Sequence, residues 1–140
     1  MLASHLAKEI SEAFPTLAFS RSEDGRVITI TAPCAEVGSI EIQDEEHELT
    51  VFVGNFTHWH VGCYEDGYSE AEKAEYIASR TVEFLDDLFA DKIVMWGSHS
   101  GGGGFYNREE APRKAKKGWF GISMKDCERR EWVWSGRVGG

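Results

Sequence analysis

Apolar side chains recur at helical spacing at the start of the chain, at Leu2, Leu6, Ile10, Ala13 and Phe14, and Pro15 ends the pattern. This spacing predicts a helix over about residues 3–14. The period then shortens to the alternation of strands. "LAFSR" and "RVITITA" are joined by "SEDG", whose Asp-Gly is a strong hairpin signal. "SIEIQ" alternates with Ile40 and Ile42 inward, "DEEH" turns it into "ELTVFV", and "FTHWHVGCY" follows. The first half therefore reads as five strands in an antiparallel meander, a sheet that buries one face and wets the other.

A second helix is predicted over about residues 70–90. Ser69 with Glu72 three positions on forms a capping box. Ala74, Ile77, Ala78, Thr81, Leu85 and Leu88 make one apolar stripe, while Glu72, Lys73, Glu75, Glu83, Asp86 and Asp87 lie mostly elsewhere. "KIVMWG", "GWFGISM" and "REWVWSG" supply further strands. Residues 98–117, "SHSGGGGFYNREEAPRKAKK", read as an extended loop, and a loop of this length in a compact domain is mobile or functional. The fold expected is a single α+β domain over residues 1–140: a mainly antiparallel sheet of seven to eight strands with two helices packed on one face.

The histidines of "FTHWHVGCY" turn on strand register. Alternation places His58 and His60 on one side of the strand and Trp59, Val61 and Cys63 on the other. A two-residue Gly54-Asn55 turn pairs Val51 with His58 and puts both imidazoles among aliphatic side chains. A three-residue loop, Gly54 to Phe56, groups Leu49, Val51, Val53, Trp59 and Val61 on one face and leaves Thr50, Phe52, His58 and His60 on the other. The second segregates apolar from polar better and is the register expected here.

On that register the histidines decorate the face away from the core. The pair reads as ordinary sheet histidines, as a pH-sensitive or hydrogen-bonding surface pair, or as two imidazole ligands suited to zinc or a similar divalent metal. A third must come from far in sequence, with His99 the foremost candidate beside His47, Glu65 and Asp66. No H-E-x-x-H or paired C-x-x-C spacing accompanies them. "WGSHSGGGG" follows a strand with glycines, but neither phosphate-loop spacing fits, and His99 stands where the nucleophile elbow requires serine. Four consecutive glycines are expected to make a flexible loop. The basic cluster Arg108, Arg113, Lys114, Lys116 and Lys117 reads as a solvated turn or a grip for an acidic group. Trp132 and Trp134 share a face, and if exposed they form, with Phe52 and the histidines, a partner surface. Cys34, Cys63 and Cys127 lack any activating neighbour motif and read as buried small apolar groups.

Composition narrows the function classes. Hydrophobic content of 41% and charged content of 28% are those of an ordinary globular protein rather than a disordered chain. The start, "MLASHLAKEISEAF", is expected to be neither signal peptide nor anchor, no membrane span is expected, and the scattered cysteines fit a reducing cytoplasm. The net charge of -9 divides unevenly: residues 1–91 hold 19 acidic and 5 basic side chains, residues 92–140 hold 5 and 10. The acidic portion argues against nucleic-acid binding and reads either as a surface that keeps the protein soluble or as a face that attracts a basic protein partner.

"ELTVFVGNFTHWHVGCY", the acid-rich helix and "DKIVMWG" together resemble small bacterial cytoplasmic domains, largely uncharacterised, in which a strand with a His-x-His-like end precedes a helix and a K-I-V strand. Some are associated with toxin-immunity loci. The resemblance covers about residues 48–97, implies a binding protein and carries over no catalytic residue. The expectation is thus a noncatalytic, immunity-like, cytoplasmic binding module with no cofactor. The alternative is a metal-dependent hydrolase or small-molecule enzyme using His58 and His60 with His99 and a carboxylate.

Overall fold

The computed structural model of the chain describes residues 2–54, 56–64, 66–97, 103–107 and 130–137. Helix α1 (Leu2–Ala13) buries Leu2, Ala3, Leu6 and Ile10 along the stripe its spacing predicts. Its first turn is capped from far away: the Asp44 carboxylate, at the end of a strand, accepts from the backbone N–H of Ala3 at 2.9 Å and from that of Glu46 at 2.8 Å. Asp44 is buried, and these two amides supply the partners a buried carboxylate needs.

Strands β1 (Ser20–Arg21), β2 (Val27–Thr31), β3 (Ser39–Asp44), β4 (Glu48–Val53) and β5 (Thr57–Gly62) form a five-stranded antiparallel meander in chain order. Ile28, Ile30, Ile40, Ile42, Leu49, Val51, Val53 and Val61 are all buried on one face. Between β4 and β5 the pairing sets Val51 opposite Trp59, Phe52 opposite His58 and Thr50 opposite His60. This is the three-residue-loop register, with Gly54 at φ +57° and the Phe56 N–H donating to the Val53 carbonyl. A side chain at Gly54 would stand 2.3 Å from the Val37 carbonyl oxygen, so the turn requires glycine for space as well as for its backbone angle.

Helix α2 (Glu70–Phe89) begins with the expected capping box. The Ser69 hydroxyl accepts from the Glu72 N–H, and the Glu72 carboxylate accepts from the Ser69 N–H. Its buried face comprises Ile77, Ala78, Thr81, Phe84, Leu85 and Leu88. Both helices pack against the apolar side of the meander and against each other. Beyond α2, Asp91 adopts φ +60° and accepts from both the N–H and the hydroxyl of Ser135, tying the helix end to a distant turn.

The remaining strands make a second antiparallel sheet. β7 (Gly103–Asn107) pairs with β6 (Ile93–Gly97), β8 (Arg130–Val133) pairs with the other side of β6, and the short β9 (Gly136–Arg137) lies beside β8. β7 corrects the expectation of a continuous loop over residues 98–117. Gly103 and Gly104 are strand residues because of close approach, not freedom: a Cβ at Gly103 would lie 2.3 Å from the Phe56 carbonyl oxygen, and one at Gly104 would lie 2.9 Å from the Trp96 indole nitrogen. The rest of that segment, and the strand expected over residues 118–124, lie outside the described residues.

Phe56 joins the two sheets. Its ring packs on Trp132 at a centroid separation of 5.0 Å and fills the space left by Gly54 and Gly97, where a Cβ would meet it at 3.1 and 3.0 Å. Nearby, Trp59, Phe84 and Phe105 form an aromatic cluster with separations of 4.9, 5.2 and 6.2 Å, linking β5, α2 and β7. Among the described residues, no helix is long and apolar enough to cross a membrane.

Candidate functional site

Both helices cover one side of the meander, and neither of them covers its other side. Register defines what stands there. One row across the sheet runs Ser20, Thr29, Glu41, Phe52 and His58, and the next runs Val27, Gln43, Thr50 and His60. Phe52 is half-buried in this largely polar face, beside a shallow depression of about 360 Å³ lined by Gly38, Ser39, Glu41, Gln43 and Gly54. His58 and His60 are exposed.

The two imidazoles are not isolated. Their ring centres stand 5.1 Å apart with planes 83° to each other, and His58 leans on Phe52 at 5.8 Å. His60 Nδ1 lies 3.2 Å from the Thr50 hydroxyl and 3.3 Å from Glu48 Oε1. Glu48 in turn accepts a 2.6 Å hydrogen bond from the Tyr64 hydroxyl. Gly62, opposite Glu48 in the register, makes this possible: a Cβ there would stand 2.6 Å from the Tyr64 hydroxyl oxygen. The hydrogen bond to Glu48, followed by burial and by the carboxylate's charge, raises the Tyr64 pKa above its ordinary value. Glu48, Thr50 and Tyr64 were not foreseen as site residues. Thr50 and Glu48 become legible once the register is drawn, since they occupy the cross-strand positions beside His60 and Gly62.

Comparisons with protein families, with curated proteins and with solved structures find no match.

Of the other candidates, Trp134 is corrected from surface to core. It is 8% exposed and packs on Phe89 at 5.2 Å, which itself packs on Phe14 at 5.1 Å. Trp132, half-buried, is taken up by Phe56. Trp132 and Trp134 therefore form no exposed pair, for the physical reason that each indole fills a junction between elements. Cys63 is buried and Cys34 half-buried, both with free thiols. His99, Glu65, Cys127 and the basic cluster Arg108, Arg113, Lys114, Lys116 and Lys117 lie outside the described residues. His47 sits at the exposed β3–β4 turn, and Asp66 is likewise exposed beyond β5. Among the described residues, no group of three or more His, Cys, Asp or Glu side chains is placed to hold a metal ion.

Proposed function

We propose that the chain is a noncatalytic binding module of the cytoplasm, immunity-like in role, that receives a basic protein partner on the open face of the five-stranded sheet. The observation that carries this reading is the composition of that face: a half-buried Phe52 beside a depression, ringed by Glu41, Gln43, Thr50, His58 and His60. An aromatic anchor within a polar rim is the usual anatomy of a protein-binding patch. Acidic groups at Glu41 and Glu48 favour a basic partner, and the exposed Glu72, Glu75, Glu83 and Asp86 of α2 add a long-range field of the same sign. No cofactor enters this reading.

The test compares wild type with Phe52→Ala and with a Glu41→Lys/Glu48→Lys double variant in pull-downs from the native host at low and moderate salt. A specific basic partner held by wild type, weakened by added salt and lost by both variants supports the proposal. A partner retained equally by all three proteins would contradict it.

A further inference from the structure

The geometry points to a two-imidazole site for a late first-row divalent ion, formed by Nε2 of His58 and Nε2 of His60, with Glu48 and Tyr64 as positioning residues behind it. It goes beyond the partner surface proposed above and requires neither His99 nor any third protein ligand.

Spacing comes first. A metal bonded to an imidazole nitrogen at about 2.0 to 2.1 Å lies roughly 3.2 Å from the ring centre, so two rings meeting it at about 109° have centres about 5.2 Å apart. The observed separation is 5.1 Å. The planes, 83° apart, keep the rings from stacking on each other, and His58 is exposed, so turning that ring about its terminal bond to aim its Nε2 toward that of His60 meets little resistance while His60 keeps its Nδ1 contacts. The pleat supplies the rest, since alternate residues of one strand project side by side from the same face.

Tautomer comes second. A neutral imidazole binds metal through whichever nitrogen lacks a proton, and the partner of the other nitrogen decides which that is. At His60 the Glu48 carboxylate, which can only accept, stands 3.3 Å from Nδ1 beside the Thr50 hydroxyl at 3.2 Å, so a proton on Nδ1 has two acceptors and the Nε2 lone pair is left free. Glu48 is itself held by the Tyr64 hydroxyl at 2.6 Å. A hydroxyl, a carboxylate and a histidine in series form the outer-shell arrangement that orients metal-bound imidazoles. Glu48 thus supports His60 rather than serving as a ligand, and water or an exogenous donor completes the coordination. Imidazole nitrogen suits zinc, nickel and copper(II), and the order of divalent affinities places copper(II) first.

Zinc(II) titration of the full chain, followed by histidine side-chain NMR and by calorimetry, tests the site. One equivalent of zinc is expected to move the Nε2 resonances of His58 and His60 together, with His60 Nδ1 remaining protonated, while His5 and His47 stay unmoved. His58→Ala and His60→Ala each break the chelate and are expected to weaken binding about a hundredfold. Glu48→Gln is expected to weaken it about tenfold by loosening the outer shell. His58→Gln keeps a polar side chain of the strand face while removing the imidazole, and is expected to match His58→Ala. His99→Ala and His47→Ala are expected to leave the affinity as in wild type. The proposal is overturned if wild type shows no saturable shift at His58 and His60, if only one of the two rings responds, or if binding survives in the double alanine variant.

Discussion

At the scale of single residues, the positions that matter most are those where a polar group sits on the apolar side of the meander or a glycine meets another backbone. Asp44 follows Ile40 and Ile42 on the alternation that points to the core, and it is tolerated there because it caps α1. Asp44→Ala leaves the Ala3 and Glu46 amides without this acceptor and is expected to lower stability by about 1 to 3 kcal/mol, read from the midpoint of urea unfolding. A loss below a few tenths would show the cap to be redundant. On the open face, Tyr64 supplies a prediction with a definite sign. Its folded pKa is raised, so the contact with Glu48 contributes fully below the ordinary phenol pKa and is lost as pH rises through the raised value. The Tyr64 ring-carbon NMR titration is therefore expected to fall to a lower midpoint in Glu48→Gln, and an unchanged midpoint would remove Glu48 as the cause.

At the scale of elements, the first half of the chain was legible because period, turn chemistry and capping agreed. β4 begins and ends where "ELTVFV" does, α2 starts one residue after its Ser69 cap, and the β4–β5 register follows from segregating apolar from polar residues. The second half was less legible because its signals are contacts across elements. "GGFYN" lacks the apolar alternation of a strand, and its glycines look like a flexible hinge until the Phe56 carbonyl and the Trp96 indole are seen against them. Phe84 lay outside the expected α2 stripe for a related reason: its partners Trp59 and Phe105 come from strands on either side of the sheet junction. Gly103→Ala forces a methyl group to within 2.3 Å of a backbone oxygen. It is expected to cost about 1 to 3 kcal/mol or more, while Gly136→Ala, whose Cβ would meet nothing within 4 Å, is expected to cost far less. Paired thermal or chemical denaturation of the two variants checks this, and equal losses would mean that close approach is not what places glycine at Gly103.

At the scale of the whole molecule, one side of the five-stranded sheet is consumed by two helices and the junction with the second sheet, and neither helix covers the other side. The candidate surface read from the sequence divides along that line. Phe52, His58 and His60 remain on the open side, whereas Trp132 and Trp134 are spent on internal packing. Hydrophobic content and aromatic count do not foretell this division, because a tryptophan on an alternating strand reads the same whether its face is covered or bare. What decides it is which strands neighbour which helices, and that depends on long-range pairing. The acidic charge of the first 91 residues, by contrast, is a property of the chain that folding distributes without changing, and it reaches the solvent on both α2 and the open face. The most direct measurement is equilibrium binding of the partner isolated from the native host to wild type and to Phe52→Ala, with unfolding midpoints recorded for both. Phe52→Ala is expected to weaken binding by about tenfold or more, about 1.4 kcal/mol, with fold and cooperativity retained. Unchanged affinity in a folded Phe52→Ala protein would contradict it and place the binding surface elsewhere.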